Sequence, residues 1–236
     1  MKKIYVNTNQ KALVFKKGEL VRVLNAGSHW LGFGETSVSY DMSKKFGSEL
    51  AIEVLLQNQE FAEAINLVEV GDNELVLVYE GKNFRNLLSA GQHIFWRGIK
   101  EYEFVRVDIS NLTIDSTIDK NLLEKQPLLH YVRSFKVEPH EQALLYLDGK
   151  FETILESGNY SWWKNSTNIQ VVKTDMRQLT MDIAGQEILT KDKAQLRINF
   201  TLQYRVADIL KALRDNREFD KQLYVVMQLA IREYVG

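Results

Sequence analysis

Two histidines and three aspartates are the residues of this chain whose types and spacing suggest chemistry. His29 and His93 each stand two residues after a glycine, Gly27 and Gly91. Matched imidazoles would suit a metal ion or acid–base work near neutral pH. Asp41, Asp108 and Asp175 are separated by equal intervals of 67 residues, so they form a shared acid site only if three distant segments converge. The third segment carries Tyr160 where the first two carry histidine, and no acidic or histidine cluster at ligand spacing flanks either imidazole. The expectation is that both histidines pack a turn, and that each aspartate hydrogen-bonds the turn following it.

The positions match because the chain repeats itself. Val14-Phe15-Lys16-Lys17-Gly18, Val78-Tyr79-Glu80-Gly81 and Leu145-Tyr146-Leu147-Asp148-Gly149 open three similar passages. Each continues through a bend glycine (Gly27, Gly91, Gly158) into an aromatic stretch and closes at its aspartate. A fixed period describes an array of like modules, which usually presents surfaces rather than one pocket. In each module an apolar run reads as a buried strand, and Gly18, Gly81 and Gly149 as turn residues at positive φ. A hairpin and a third strand complete a three- or four-stranded unit too small to be stable alone. Leu50 to Leu56 with Phe61 to Ile65 reads as helix between the first two modules. Leu122 to Lys125 with Leu128 to Val132, broken by Pro127, is its weaker counterpart.

After the third module, Ala194, Leu196, Ile198, Phe200, Leu202, Tyr204 and Val206 alternate with polar residues, which predicts a long strand with one buried face. Asp208 reads as the N-cap of a helix over Ile209 to Leu213. A second helix carries an apolar stripe of Phe219, Leu223, Val226, Met227, Ala230, Ile231 and Tyr234.

Composition closes off several functions. Lys plus Arg (30) nearly balances Asp plus Glu (31), which gives no electrostatic case for nucleic acid. With no cysteine there is no disulfide, thiolate zinc site or cysteine nucleophile. The first residues lack the apolar core of a signal peptide, and no uninterrupted apolar run approaches the length of a membrane span. No nucleophile elbow, phosphate-binding glycine loop, His-Glu-x-x-His or dinucleotide fingerprint occurs. The expectation is no cofactor, no metal and no enzymatic activity.

Residues 135–236 resemble the band 7, or SPFH, domain of the stomatin and prohibitin families, in particular the bacterial slipins. The resemblance rests on Lys173-Thr174-Asp175-Met176-Arg177-Gln178-Leu179-Thr180-Met181-Asp182 and Gly185-Gln186-Glu187-Ile188-Leu189-Thr190-Lys191-Asp192. It continues in Tyr204-Arg205-Val206-Ala207-Asp208 and Ala230-Ile231-Arg232-Glu233-Tyr234-Val235-Gly236. The two upstream modules resemble the extra N-terminal repeats of some slipins. The resemblance implies a non-enzymatic, self-assembling scaffold that organises membrane microdomains or regulates membrane proteins or proteases at the cytoplasmic face. Its partners would be further copies of itself and a membrane surface or membrane proteins. Two departures stand out: the N-terminal hydrophobic hairpin of stomatins is missing, and the long helical region that drives assembly would begin where this chain ends.

The sequence therefore predicts an α+β fold in which three small β-rich modules are joined by short helices. The last module merges into a band 7 domain whose antiparallel sheet packs on C-terminal helices. The segments are 1–45, 46–112 and 113–236, the last truncated before a coiled coil. Trp30, Trp96, Trp162 and Trp163 all follow a bend glycine and either cover each module's core or meet lipid or a partner. Phe219, Leu223, Met227 and Tyr234 are candidates for oligomer contact as well as for core packing. The alternatives to a membrane scaffold are a soluble protein-binding adaptor and, more remotely, a hydrolase.

Overall fold

The computed structural model describes residues 1–190 and 192–235. Lys191 of the quoted turn and Gly236 at the end of the motif lie outside the described residues.

Five strands, rather than three or four, make each module, and the topology is the same all three times. In the first, β1 (Lys2–Val6) and β2 (Gln10–Lys16) precede β3 (Glu19–Leu24), β4 (Gly27–Leu31) and β5 (Glu35–Asp41). β1 pairs with β4, and β2 lies between β3 and β5, all antiparallel. The second module repeats this with β6 (Ile65–Val70), β7 (Glu74–Glu80), β8 (Asn83–Leu88), β9 (Gly91–Trp96) and β10 (Tyr102–Asp108). The third does so with β11 (Val132–Val137), β12 (Glu141–Leu147), β13 (Lys150–Leu155), β14 (Gly158–Trp163) and β15 (Ile169–Asp175). A register shift falls at the same place in each hairpin, after Val14, Val78 and Leu145. Gly18, Gly81 and Gly149 take φ of +86, +61 and +78, the left-handed turn geometry expected of them.

The central strand of each module explains its continuous apolar run. Ala12 and Val14 point inward to Val6, Leu24 and Leu31. Val76 and Val78 do the same with Val68, Val70 and Leu88, and Ala143 and Leu145 with Val137, Leu155 and Ile169. Successive side chains alternate faces, so Leu13, Leu77 and Leu144 point outward, yet all three are fully buried. A strand covered on both faces reads as an unbroken apolar run. Leu13 is covered by Phe46, Leu55 and Phe61 of the following segment together with Ile65, Ile94 and Trp96 of the second module.

That segment is two short helices, not one. α1 spans Ile52–Leu55 and α2 spans Gln59–Ala64, where the Asn58 side chain accepts a hydrogen bond from the Phe61 N–H at 3.1 Å and caps α2. Ile65, expected to be helical, opens β6 instead. The weaker counterpart is α3 (Lys120–Leu123) and a 3-10 turn over Leu128–Tyr131, after which Val132 opens β11.

Beyond the third module, β16 (Leu179–Leu189) pairs antiparallel with β17 (Gln195–Tyr204), with an irregularity at Gly185 (φ +68). α4 spans Ile209–Leu213 behind Asp208, whose carboxylate accepts from the Lys211 N–H at 3.1 Å as expected, and lies against β12. α5 (Phe219–Val235) packs on β16. The alternating face of β17 is less covered than its pattern suggested. Ile198, Phe200, Leu202 and Tyr204 are half-buried, and Leu196 is exposed. Asp208→Ala is expected to cost about 1 kcal/mol, the usual worth of an N-cap, measured by urea unfolding.

The chain divides into two compact units. One is Met1–Asn111 with Glu124–Leu128; the other is Leu112–Leu123 with Leu129–Gly236.

Candidate functional site

The three repeated aspartates do one job each, locally. Asp41 Oδ1 accepts from the Ser43 N–H at 2.9 Å, Asp108 Oδ1 from the Ser110 N–H at 2.8 Å and Asp175 Oδ1 from the Arg177 N–H at 2.9 Å. Each caps the turn that leaves its module, as the sequence predicted. The Ser43 and Ser110 side chains, and then their backbone amides, hold Asp41 and Asp108 below the usual carboxylate range. The Arg177 side chain, followed by its backbone amide, pulls Asp175 down to about 2. Groups depressed in the folded state stabilise it above their unfolded value of about 3.9 and lose that contribution as pH falls through the folded value. Urea midpoints are therefore expected to fall between about pH 4 and pH 2. Asp175→Asn should flatten that slope; an unchanged slope would separate the aspartate turn from acid stability.

The histidines share a second local task. His29 Nε2 donates to the Asn25 carbonyl at 2.8 Å, and His93 Nε2 to the Ser89 carbonyl at 2.8 Å. Tyr160 takes their place in the third module, and its hydroxyl donates to the Glu156 carbonyl at 2.9 Å. In all three the donor reaches four residues back across the bend glycine. A ring carrying a polar hydrogen at its far end makes this bridge in each module, as His in the first two and as Tyr in the third. A net hydrogen bond contributes about 0.5–1.5 kcal/mol. Tyr160→Phe should cost that much, and His29→Ala with His93→Ala should leave the fold intact by circular dichroism.

Among the described residues His29 and His93 bond backbone carbonyls rather than Asp41 or Asp108, whereas a different histidine, His140, places its Nε2 3.9 Å from Asp175 Oδ2. A recess in the first unit is lined by Ser43, Lys44, Lys45, Ser89, His93, Trp96 and Tyr102, and no carboxylate lines it. Among the described residues no group of three or more His, Asp or Glu side chains is placed to hold a metal.

The tryptophans separate into two kinds. Trp96 and Trp163 are buried, at 2% and 1% exposure, and serve as core. Trp30 is 56% exposed, and Trp162 is half-buried in a stack with Tyr160 and a tilted contact with Phe135. Only Trp30 and Trp162 have surface to offer a lipid or a partner.

On α5, Phe219, Leu223 and Met227 are half-buried, whereas Tyr234 is 90% exposed. The exposed apolar residues of the helix are Val225, Val226 and Leu229, two of which the sequence pattern left out. A stripe at i, i+3/i+4 names one face, and the residues flanking it carry no mark of their own. The helix is anchored at both ends. Tyr204 donates to Asp220 at 2.8 Å, and Arg232 donates to the buried Gln186 at 3.4 Å. Desolvation first, and the Asp220 hydrogen bond second, push the Tyr204 hydroxyl up to about 12.

The repeated polar residues thus have local backbone partners, and α5 leaves apolar side chains in water. Residues 135–236 match the SPFH domain / Band 7 family. The chain is also similar to an uncharacterised protein of Methanocaldococcus jannaschii, 34% identical over 65 residues, which are 28% of this chain and 33% of the relative. An uncharacterised protein of Archaeoglobus fulgidus is 30% identical over 66 residues, 28% of this chain and 26% of the relative. One of Methanothermobacter thermautotrophicus is 27% identical over 105 residues, 44% of this chain and 32% of the relative. The matches thus span a third or less of these relatives' own lengths.

Proposed function

We propose that this chain is a non-enzymatic, self-assembling scaffold of the stomatin type. It works at the cytoplasmic face of a membrane, where it organises microdomains or regulates membrane proteins or proteases. The observation that carries the reading is the exposed apolar face of α5 within a band 7 segment: Val225, Val226, Leu229 and Tyr234 are 51%, 57%, 59% and 90% exposed. Neighbouring apolar residues on one helix are the usual material of association between copies. The polar residues that first suggested chemistry support the same reading, because each is engaged with nearby backbone.

No helix among the described residues is long and apolar enough to cross a membrane. A soluble adaptor is the second reading, favoured by the burial of Trp96 and Trp163. Co-sedimentation with vesicles of phosphatidylcholine and phosphatidylserine decides between them. The scaffold reading expects the chain to pellet with these vesicles. A chain that stays in the supernatant with every vesicle composition would leave the adaptor.

A further inference from the structure

One end of the first module carries side chains that its core does not use. The β4–β5 connection is Gly32-Phe33-Gly34, and Phe33 is 96% exposed. The loop is held rather than loose. Glu35 Oε2 accepts from the Gly32 N–H at 2.6 Å and from Arg22 Nη2 at 2.7 Å, and Arg22 Nη2 also donates to the Trp30 carbonyl at 2.9 Å. This clamp fixes the backbone before Phe33 and the strand after it, and the Phe33 ring is left in water.

Strand register places cations around it. Lys2 lies opposite Leu31 and Lys3 opposite the half-exposed Trp30. Lys16 lies opposite Glu35, with Lys17 next to it in the turn. All four lysines are exposed. The acidic groups at this end are Glu19, across from Lys16, and Glu35, which the clamp employs. The arrangement belongs to this module alone. By register, Met1 and Trp30 (90% and 56% exposed) correspond to Ile65 and Ile94 of the second module, which are 2% and 6% exposed. The corresponding connections, residues 97–101 and 164–168, are longer than 32–34.

We propose that Gly32-Phe33-Gly34 is a docking loop for an anionic lipid bilayer. Phe33 and Trp30 enter the boundary between headgroups and acyl chains, and Lys2, Lys3, Lys16 and Lys17 contact the anionic headgroups. The inference rests on the membrane reading above and names the surface that reading requires. Aromatic rings ringed by lysine suit the bilayer interface, where neither signal alone anchors stably. A protein partner is the poorer fit, because a stable interface takes about 800 Å² from each side. A single ring on a loop tip offers far less.

The chain has no cysteine, so Phe33→Cys creates one attachment point for a fluorophore sensitive to polarity, with Asp72→Cys on another exposed turn as control. Vesicles of phosphatidylcholine with phosphatidylserine are expected to blue-shift the label at 33 and not at 72. Phosphatidylcholine alone should shift neither. In the unlabelled chain, Phe33→Ser should weaken vesicle binding about tenfold, and each lysine changed to alanine about fivefold. If the chain binds these vesicles while the label at 33 is silent and Phe33→Ser binds normally, the loop is wrong and the membrane reading stands. A wild-type chain that binds no vesicle overturns both. Loss of self-association in Phe33→Ser without lipid would make the loop a contact between copies and overturn the proposal.

Discussion

Trp96→Ala is expected to destabilise the first unit by about 3–5 kcal/mol, read from urea unfolding, whereas Trp30→Ala should shift it by no more than about 0.5 kcal/mol. Trp96 is 2% exposed and sits among Phe46, Phe61 and Tyr40, with ring centroids 5.4, 6.0 and 6.2 Å away. Two of those contacts are edge-on, the arrangement aromatic quadrupoles favour. Truncation would open a cavity where Leu13, α2 and β9 meet. The indole N–H is buried with no hydrogen-bond partner among the described residues, so Trp96→Phe loses volume but also removes an unsatisfied donor. It should cost clearly less than Trp96→Ala. Equal costs for Trp96→Ala and Trp30→Ala would mean that burial does not decide the role of these tryptophans.

The second large effect is on association. Val226→Glu with Leu229→Glu should weaken self-association at least about a hundredfold and leave the urea midpoint nearly unchanged. A Val or Leu buried between copies contributes about 1.5–3 kcal/mol, and every 1.4 kcal/mol is tenfold in the equilibrium constant. The two introduced carboxylates add a desolvation penalty in the same direction. Folding is spared because both side chains already face water, at 57% and 59% exposure. Leu223→Glu, on the half-buried side of α5, should instead lower stability. If it disrupts assembly while the Val226–Leu229 pair does not, the contact face lies on the other side of the helix.

Features fixed by neighbouring residues were legible in the sequence. The turn capped by each aspartate, the N-cap at Asp208 and the glycines at positive φ each depend on a few adjacent positions. Features fixed by distant pairing were not. β1, β6 and β11 find their partners in β4, β9 and β14 more than twenty residues away, and β6 and β11 follow helical segments without a break. In β6 and β11 the local pattern runs on from helical spacing, so a local reading extends the helix over Ile65 and Val132. The histidine position was readable as a turn, but the bond to the carbonyl four residues back emerged only when Tyr160 proved to make the same one. Trp30 and Trp96 looked alike because both follow a bend glycine. They differ in distance from it, three residues against five, and in whether a helical segment covers them. Phe33 did leave a signal: an aromatic between two glycines in a tight connection has no core to enter.

The central claim is that this chain works by associating with copies of itself. Sedimentation velocity of the unmodified protein over a range of concentrations tests it most directly. The weight-average sedimentation coefficient should rise with concentration above the value for a 27.4 kDa monomer. A single monomeric boundary at every concentration would contradict the claim.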